Sequence, residues 1–308
     1  MWLISDQTIY EVHPAKGEAP RPVEMRIDPF RVAVDPSDAR RLVAVGRDGQ
    51  VAWRDGHTLD TGELGLKQEP RSLVITETGR VLLGTVGAHL YELKDPSTAE
   101  RVESFEHLEV RPDWHTPWGG PPALRKLVVT GDGWVYADIH VGSIMRSADG
   151  GDTWGPVDDS VHEDVHEVVV CPADLDRLYA NTARGVYVSS DRGDHWAHRP
   201  MPGDQRYGRA IAVNPEDPDH LIASVSDGPH GDSVHGRLWR SHDAGETWAA
   251  ADEGLPTPTV DNIDTGHLAF PAADAAVVAI AEQLYVSGDG GESWDEVWRG
   301  PAKIRAVG

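Results

Sequence analysis

The 308-residue sequence predicts an all-β fold, a seven-bladed β-propeller of four-stranded antiparallel blades in a single domain over 1–308. Three observations predict it. The pattern Ser-x-Asp-x-Gly-x-(Thr/Ser/His)-Trp is written four times, as SADGGDTW from Ser147, SSDRGDHW from Ser189, SHDAGETW from Ser241 and SGDGGESW from Ser287. The residues that end it, Trp154, Trp196, Trp248 and Trp294, stand 42, 52 and 46 residues apart, close to the length of a four-stranded blade. Between the motifs, short apolar runs alternate with turns built from Gly, Pro and Asp.

One repeat shows the order of elements. In HEVVVCPADLDRLYANTARGVYVSSDRGDHW, from His166, EVVV is a short, continuously apolar run and reads as an innermost strand. CPADLD is a turn, RLYAN the second strand and GVYVSS the third; DRGDHW turns the chain into the fourth. FRVAVDPSDARRLVAVG, RSLVITETGRVLLGTVGAHLYEL and RAIAVNPEDPDHLIASV repeat that order. First strands therefore start near Arg31, Ser72, Lys126, Glu167, Arg209 and His267, which makes six units. The ends supply a seventh. AKIRAVG at the C-terminus reads as a first strand, and MWLISDQTIYEV at the N-terminus as the second and third. A ring closed by pairing the two ends leaves no exposed edge for other chains to pair with.

Composition narrows the function. Asp and Glu number 51 against 28 Lys and Arg, a net charge of −23. Nucleic acid is excluded as a partner, because phosphate binding needs a net basic footprint. No apolar run reaches the length of a membrane span, and MWLISDQTIYEV lacks a basic region followed by a long apolar core. A cytoplasmic monomer is expected. Cys171 is the only cysteine, so no internal disulfide framework forms, and its flanks VVVCPAD read as the buried end of a strand. The acidic, lysine-poor composition is similar to that of proteins from halophilic archaea, where high ionic strength screens self-repulsion.

The four motifs resemble the Asp-box (BNR) repeat of sialidase-like and WD40/YVTN-type propellers. The match is full at 147–154, 241–248 and 287–294, and degraded at Ser189-Asp191-Gly193-His195-Trp196. The physics of such a box is structural. An Asp at the start of a tight turn accepts backbone N–H bonds, the Gly takes a positive φ, and the Trp wedges against its surroundings. The resemblance implies that the boxes pin the hairpins between third and fourth strands, on the face opposite the ligand site. Sialidase activity is not implied. Neither RPVEMRID nor DPFRVAV reproduces the family's N-terminal Arg motif, and sialidases have six blades.

Ligand chemistry is expected where loops lead into first strands and join second to third strands. Eight of the fifteen histidines fall there: His89, His115, His140, His162, His166, His230, His235 and His267. In VHEDVHE, alternation on an extended segment would point His162, Asp164 and His166 one way, with Glu163 and Glu167 the other. With His140 from the neighbouring repeat, His162 and His166 could hold a single divalent transition metal. Asp164, His166 and Glu167 are the candidates for acid–base work. A second register, at the start of first strands, reads Arg71, Arg125, His166 and Arg209, with Arg31, His267 and Arg305 within a residue of it. Arginine suits bidentate recognition of carboxylate or phosphate, unless each pairs with a nearby acid. Trp114, Trp118 and Tyr207 share this face and could stack on a flat ligand. The sequence thus predicts a binding module for an anionic small molecule, a glycan or a protein segment. The competing expectation is a metal- or His-dependent hydrolase, glycosidase or lyase on the same face.

Overall fold

The computed structural model describes residues 1–6, 8–13 and 19–308. Their strands form seven four-stranded antiparallel sheets, the blades of a seven-bladed β-propeller. Blade 1 is β4 (Arg31–Val34), β5 (Arg41–Val45), β6 (Gln50–Asp55) and β7 (Thr58–Glu63). Blade 2 is β8 (Pro70–Ile75), β9 (Val81–Thr85), β10 (Leu90–Asp95) and β11 (Thr98–Arg101). Blade 3 is β12 (Leu124–Val129), β13 (Val135–Ile139), β14 (Ser143–Ser147) and β15 (Gly155–Pro156). Blade 4 is β16 (Val165–Cys171), β17 (Asp174–Thr182), β18 (Gly185–Ser189) and β19 (Ala197–Arg199). Blade 5 is β20 (Tyr207–Val213), β21 (Leu221–Ser226), β22 (Arg237–Ser241) and β23 (Ala249–Ala250). Blade 6 is β24 (Leu268–Ala272), β25 (Ala275–Ile280), β26 (Gln283–Ser287) and β27 (Asp295–Arg299). Blade 7 joins β28 (Ile304–Val307) to β1 (Trp2–Ser5), β2 (Thr8–Glu11) and β3 (Arg21–Val23), so the two ends complete one sheet as the sequence predicts. Leu3 faces Val307 and Ile4 faces Ala306 across that seam.

Two compact units can be described. One holds 24–157 and 163–165, that is blades 1 to 3 with the residues that enter β16; the other holds 1–23, 158–162 and 166–308, that is the rest of blade 4 and blades 5 to 7. Each has its own apolar interior. In the three-blade unit, Val43, Val45, Leu73, Ile75, Leu83 and Leu93 pack together, and Leu82, Leu90, Leu124, Val135 and Ile139 form a second cluster with Phe105. In the four-blade unit, Tyr179, Val186, Ile211, Leu221 and Val225 form one cluster, and Ala212, Ile222, Leu238, Val278 and Trp294 another. Second strands are mostly apolar, and β9, β13 and β21 are buried throughout. Fourth strands are polar and exposed, as in Thr58–Glu63, and shrink to two residues in blades 3 and 5. No helix among the described residues is long and apolar enough to cross a membrane.

The four repeated motifs sit between third and fourth strands and make one bonding pattern. Ser147 donates to Asp149 Oδ1 (2.7 Å) and accepts from the Gly151 amide (2.8 Å). Asp149 Oδ1 takes the amides of Asp152 and Thr153, and Oδ2 takes the Thr153 hydroxyl (2.6 Å). Desolvation opposes ionisation of Asp149, but the Thr153 hydroxyl and amide and the Ser147 hydroxyl bring its pKa down to about 2. Gly151, Gly193, Gly245 and Gly291 all adopt positive φ, between 83° and 97°. In the degraded motif, His195 Nδ1 stands where the hydroxyl does in the others, 2.7 Å from Asp191 Oδ2. The tryptophans differ. Trp154 donates within its own turn to Gly151 O and packs edge-on against Phe105, whereas Trp294 donates across to Ala251 O of blade 5.

Candidate functional site

The arginine register has a local cause. In blade 2, Pro70 pairs with Thr85 and Ser72 with Gly84, so Arg71 is an extra residue in the strand. Arg125 is the extra residue between Leu124 and Lys126, and Arg305 between Ile304 and Ala306. In blade 5, Arg209 and Ala210 together oppose Ser224. All four are β-bulges, which break the ladder and re-aim a side chain. The amides freed by two of them are taken up by side chains of the next strand: Lys126 N donates to Asp138 Oδ1 and Ala210 N to Ser224 Oγ, both at 2.8 Å.

Each bulge arginine has a carboxylate beside it. Arg71 lies 3.4 Å from Glu69, Arg125 3.7 Å from Asp164, Arg209 3.5 Å from Asp264 and Arg305 2.8 Å from Asp6. The register therefore presents ion pairs, the alternative that the sequence left open. Arg31, which is not at a bulge, donates to the carbonyl oxygens of Arg71 and Phe30. Desolvation pulls the Asp264 carboxyl upward, but Arg209, His267 and His166 with the Thr265 amide outweigh it and hold it below the ordinary carboxylate value.

The stretch VHEDVHE does not behave as one extended segment. Residues 161–164 form a bend, and β16 begins only at Val165, so His162, Asp164 and His166 do not share a strand face. Among the described residues no three His, Cys, Asp or Glu side chains group to hold a metal ion. His166 and Glu167 have no exposed surface. The His166 ring meets the Gly208 carbonyl through Nδ1 and packs 4.6 Å from Tyr207, on which Arg209 stacks. Glu167 Oε2 accepts the amides of Ile211 (3.1 Å) and Gly266 (3.4 Å), and the Thr265 hydroxyl donates to His166 O. These two residues tie blade 4 to blades 5 and 6 and are withdrawn from solvent. His267 Nδ1 accepts from the Asp264 amide, which fixes the loop leading into β24.

In the three-blade unit a different group reaches the surface. The chain between β11 and β12 carries a short helix, Glu103–Glu106, and a 3-10 turn, Arg111–Asp113. Arg111 anchors it: its guanidinium donates to Ala88 O (2.8 Å), lies 3.5 Å from Glu106 and stacks on Trp114. The two tryptophans of this loop have opposite fates. Trp114 is 8% exposed and packs on Phe105 and Arg111; Trp118 is 68% exposed. Gly142 makes room for Trp114, since a Cβ there would come within 2.7 Å of its Cδ1. Trp118 stands over His140, ring centroids 4.9 Å apart and planes tilted by 59°. His140 Nε2 is 3.9 Å from Asp164 Oδ1, and Arg125 also donates to Val165 O (3.0 Å).

The sequence did not single out Glu69, Asp264 or Asp6, the acidic halves of the ion pairs. Only Glu69 carried a local signal, two residues ahead of its arginine. A further feature of the four-blade unit is a pocket of about 220 Å³ lined by Pro256, Val260, Asn262, Ile263, Ile280 and Ala281, with Val260 63% exposed at its rim.

Comparison with known proteins places the chain among propellers. Residues 142–266 match the Sortilin-Vps10 family model (sortilin, neurotensin receptor 3). The chain is 27% identical over 210 residues to xyloglucanase Xgh74A of Acetivibrio thermocellus and 26% identical to a xyloglucanase of a Paenibacillus species. Those matches take in 53% of this chain but only 24% and 20% of the relatives. Among solved structures, the GH74 xyloglucanase of Xanthomonas campestris superposes with a TM-score of 0.71 at 19% identity, over 97% of this chain and 52% of that one. YCF48 bound to D1 peptide superposes with a TM-score of 0.61 at 17% identity, over 96% and 83%. At these identities the structural likeness is one of fold.

Proposed function

We propose that the protein is a binding module for a glycan, which it holds on its loop face without cleaving it. One observation carries this reading: every bulge arginine is paired with a carboxylate, while Glu167, proposed from sequence for acid–base work, is buried on backbone amides. Glycoside hydrolysis uses two carboxyl groups at a set separation, one of them protonated at working pH. Asp264 is held ionised by its neighbours, which suits an ion pair and not a proton donor. The sequence similarity to xyloglucanases supports a glycan as the ligand class. The test is to incubate the purified protein with xyloglucan and other soluble glucans, measuring retention by affinity electrophoresis and release of reducing ends. Retention without release is expected; steady release that survives further purification overturns the reading.

The pocket beside Val260 favours a second reading, a protein segment as partner. Its lining mixes apolar Pro256, Val260, Ile263 and Ile280 with Thr259, Asp261 and Asn262, and YCF48, a propeller of similar fold, is known with a peptide bound. Binding of peptides that Val260→Glu abolishes, with no glycan retained, would replace the first reading by this one.

A further inference from the structure

We infer that Arg47 and Arg71 form a subsite for the carboxylate of one acidic sugar residue, a uronate, within the bound glycan. The inference rests on the glycan-binding reading and adds a charged sugar class and the residues that select it. Both arginines belong to the three-blade unit.

The count of charges singles out this place. Arg125, Arg209 and Arg305 each face a different carboxylate, but Arg71 shares Glu69 with a second arginine, Arg47, from the turn between β5 and β6. Among the described residues, Glu69 is the one carboxylate within 4 Å of either guanidinium. Asp48, next to Arg47 in sequence, accepts the Gln50 amide of its own turn (3.1 Å). Two cations to one anion leave the pair positive, in a chain of net charge −23. The arginines are also placed before any ligand arrives. The guanidinium carbons of Arg31 and Arg47 each lie 3.9 Å from the ring centroid of Phe30, which is buried. Arg31 donates to Arg71 O and so ties the bulge to that ring. A planar guanidinium stacked on a fixed ring loses little freedom when it binds.

Glu69 shows what the pair recognises. It gives one oxygen to each arginine, Oε1 to Arg47 at 2.9 Å and Oε2 to Arg71 at 3.4 Å, so the spacing of the guanidiniums suits a planar, two-oxygen anion. Donors remain for a second one. The Arg47 side chain is 53% exposed, and of its five N–H donors only one, on Nη1, is used on the described residues. The Arg71 side chain is 37% exposed; Nη2 goes to Glu69 and Nε is buried, which leaves Nη1 for a ligand. A neutral sugar offers these donors hydroxyls. A uronate offers a carboxylate, and charge-assisted bonds are roughly twice as strong as neutral ones. A single uronate suits the place better than a run of them, because further carboxylates would meet the acidic surface of the chain.

The experiment is calorimetric titration of the full chain, at constant ionic strength, with three ligands. They are a xylo-oligosaccharide carrying one glucuronate, the same compound with its carboxyl reduced to the alcohol, and a xyloglucan oligosaccharide. Wild type should bind the glucuronate compound about tenfold more tightly than its reduced form. Arg47→Ala and Arg71→Ala should abolish that preference. Arg47→Lys, which keeps the charge and loses the fork, should keep only part of it. Arg40→Ala removes the same charge at the other end of β5, where Arg40 pairs with Asp38, and should keep all of it. The preference is a ratio between two ligands on one protein, so a variant that is merely less stable does not imitate its loss. If wild type binds the reduced compound or the xyloglucan oligosaccharide and shows no preference for the glucuronate, the subsite is overturned and the glycan reading stands. If the preference survives both alanine variants, or Arg40→Ala loses it as they do, the two arginines are not its source and the subsite is overturned. If wild type binds none of the three, the glycan reading itself falls and the subsite with it.

Discussion

Replacing the motif serine by alanine, at Ser147, Ser189, Ser241 or Ser287, tests whether these turns hold the blades together. Take Ser287, which is fully buried. Its hydroxyl donates to Asp289 Oδ1 at 2.6 Å and accepts the Gly291 amide at 2.7 Å. Alanine removes both bonds, together with a longer one accepted from the Asp289 amide (3.3 Å), and leaves a buried amide at Gly291 with nothing in place of the hydroxyl. An orphaned buried donor costs about 1–3 kcal/mol, and the lost bond to a charged acceptor adds to it. Part of that is recovered because Asp289 keeps the amides of Glu292 and Ser293 and the Ser293 hydroxyl. A net loss of about 2 kcal/mol follows, enough to lower Tm by roughly 4–8 °C in a unit of 150–250 residues. The other three motifs give independent repeats, since the amide-to-serine distances there are 2.8, 2.9 and 2.8 Å. Urea unfolding followed by tryptophan fluorescence, at constant salt, measures each. Four losses near 2 kcal/mol are expected. Losses below about 0.5 kcal/mol at all four sites would show that the turn is held by backbone geometry alone, and the argument from the serine would be wrong.

Three further outcomes follow from the charges. His220 is buried and stacked on His242 at 4.1 Å, with Arg240 and Asp217 also near. Burial first, then His242, lowers its pKa below 6.5, so the unfolded chain binds the proton better; stability is full above pH 6.5 and falls as pH drops below it. His220→Phe should flatten that fall in a series of melts, and an unchanged slope would place its origin elsewhere. His195 has the opposite sign. Its hydrogen bond to Asp191 raises its pKa, so its contribution is present below pH 6.5 and disappears as pH rises through the folded value. His195→Thr, which restores the hydroxyl of the other three motifs, should keep the turn and abolish the titration seen by NMR. Finally, a net charge of −23 predicts a melting temperature that climbs as KCl rises from about 0.1 M to about 1 M, where the screening length drops from roughly 10 to 3 Å. A flat response would mean that the surface acids are compensated locally by ion pairs such as those of Arg80 and Arg299.

The blades were legible because their signals are local. A continuous apolar run next to a Gly/Asp turn marks a first strand whatever lies beside it, so starts expected at 31, 72, 126, 167, 209 and 267 fall within two residues of β4, β8, β12, β16, β20 and β24. Ring closure was legible for the same reason, since each end of the chain carries an unfinished blade. The site was not, because its geometry depends on pairs of strands. Arg71, Arg125, Arg209 and Arg305 could be aligned by eye, yet what aims them is a one-residue slip against the neighbouring strand, visible only as Pro70 facing Thr85 while Ser72 faces Gly84. The acids that meet them lie on other segments, 39 residues away for Asp164 and 55 for Asp264, with no spacing rule to announce them. Period-two reasoning failed at VHEDVHE because alternation holds only within a strand, and β16 starts one residue past Asp164. The tryptophans make the same point from the other side. Trp114 and Trp118 stand four residues apart in one Pro/Gly-rich loop, and composition treats them alike. A gap at Gly142 and the plane of Arg111 draw the first inward, while the turn from Thr116 to Gly120 turns the second out. An exposed aromatic ring is thus a property of the neighbours that decline to cover it, and neighbours brought in from other segments leave no mark on the local sequence.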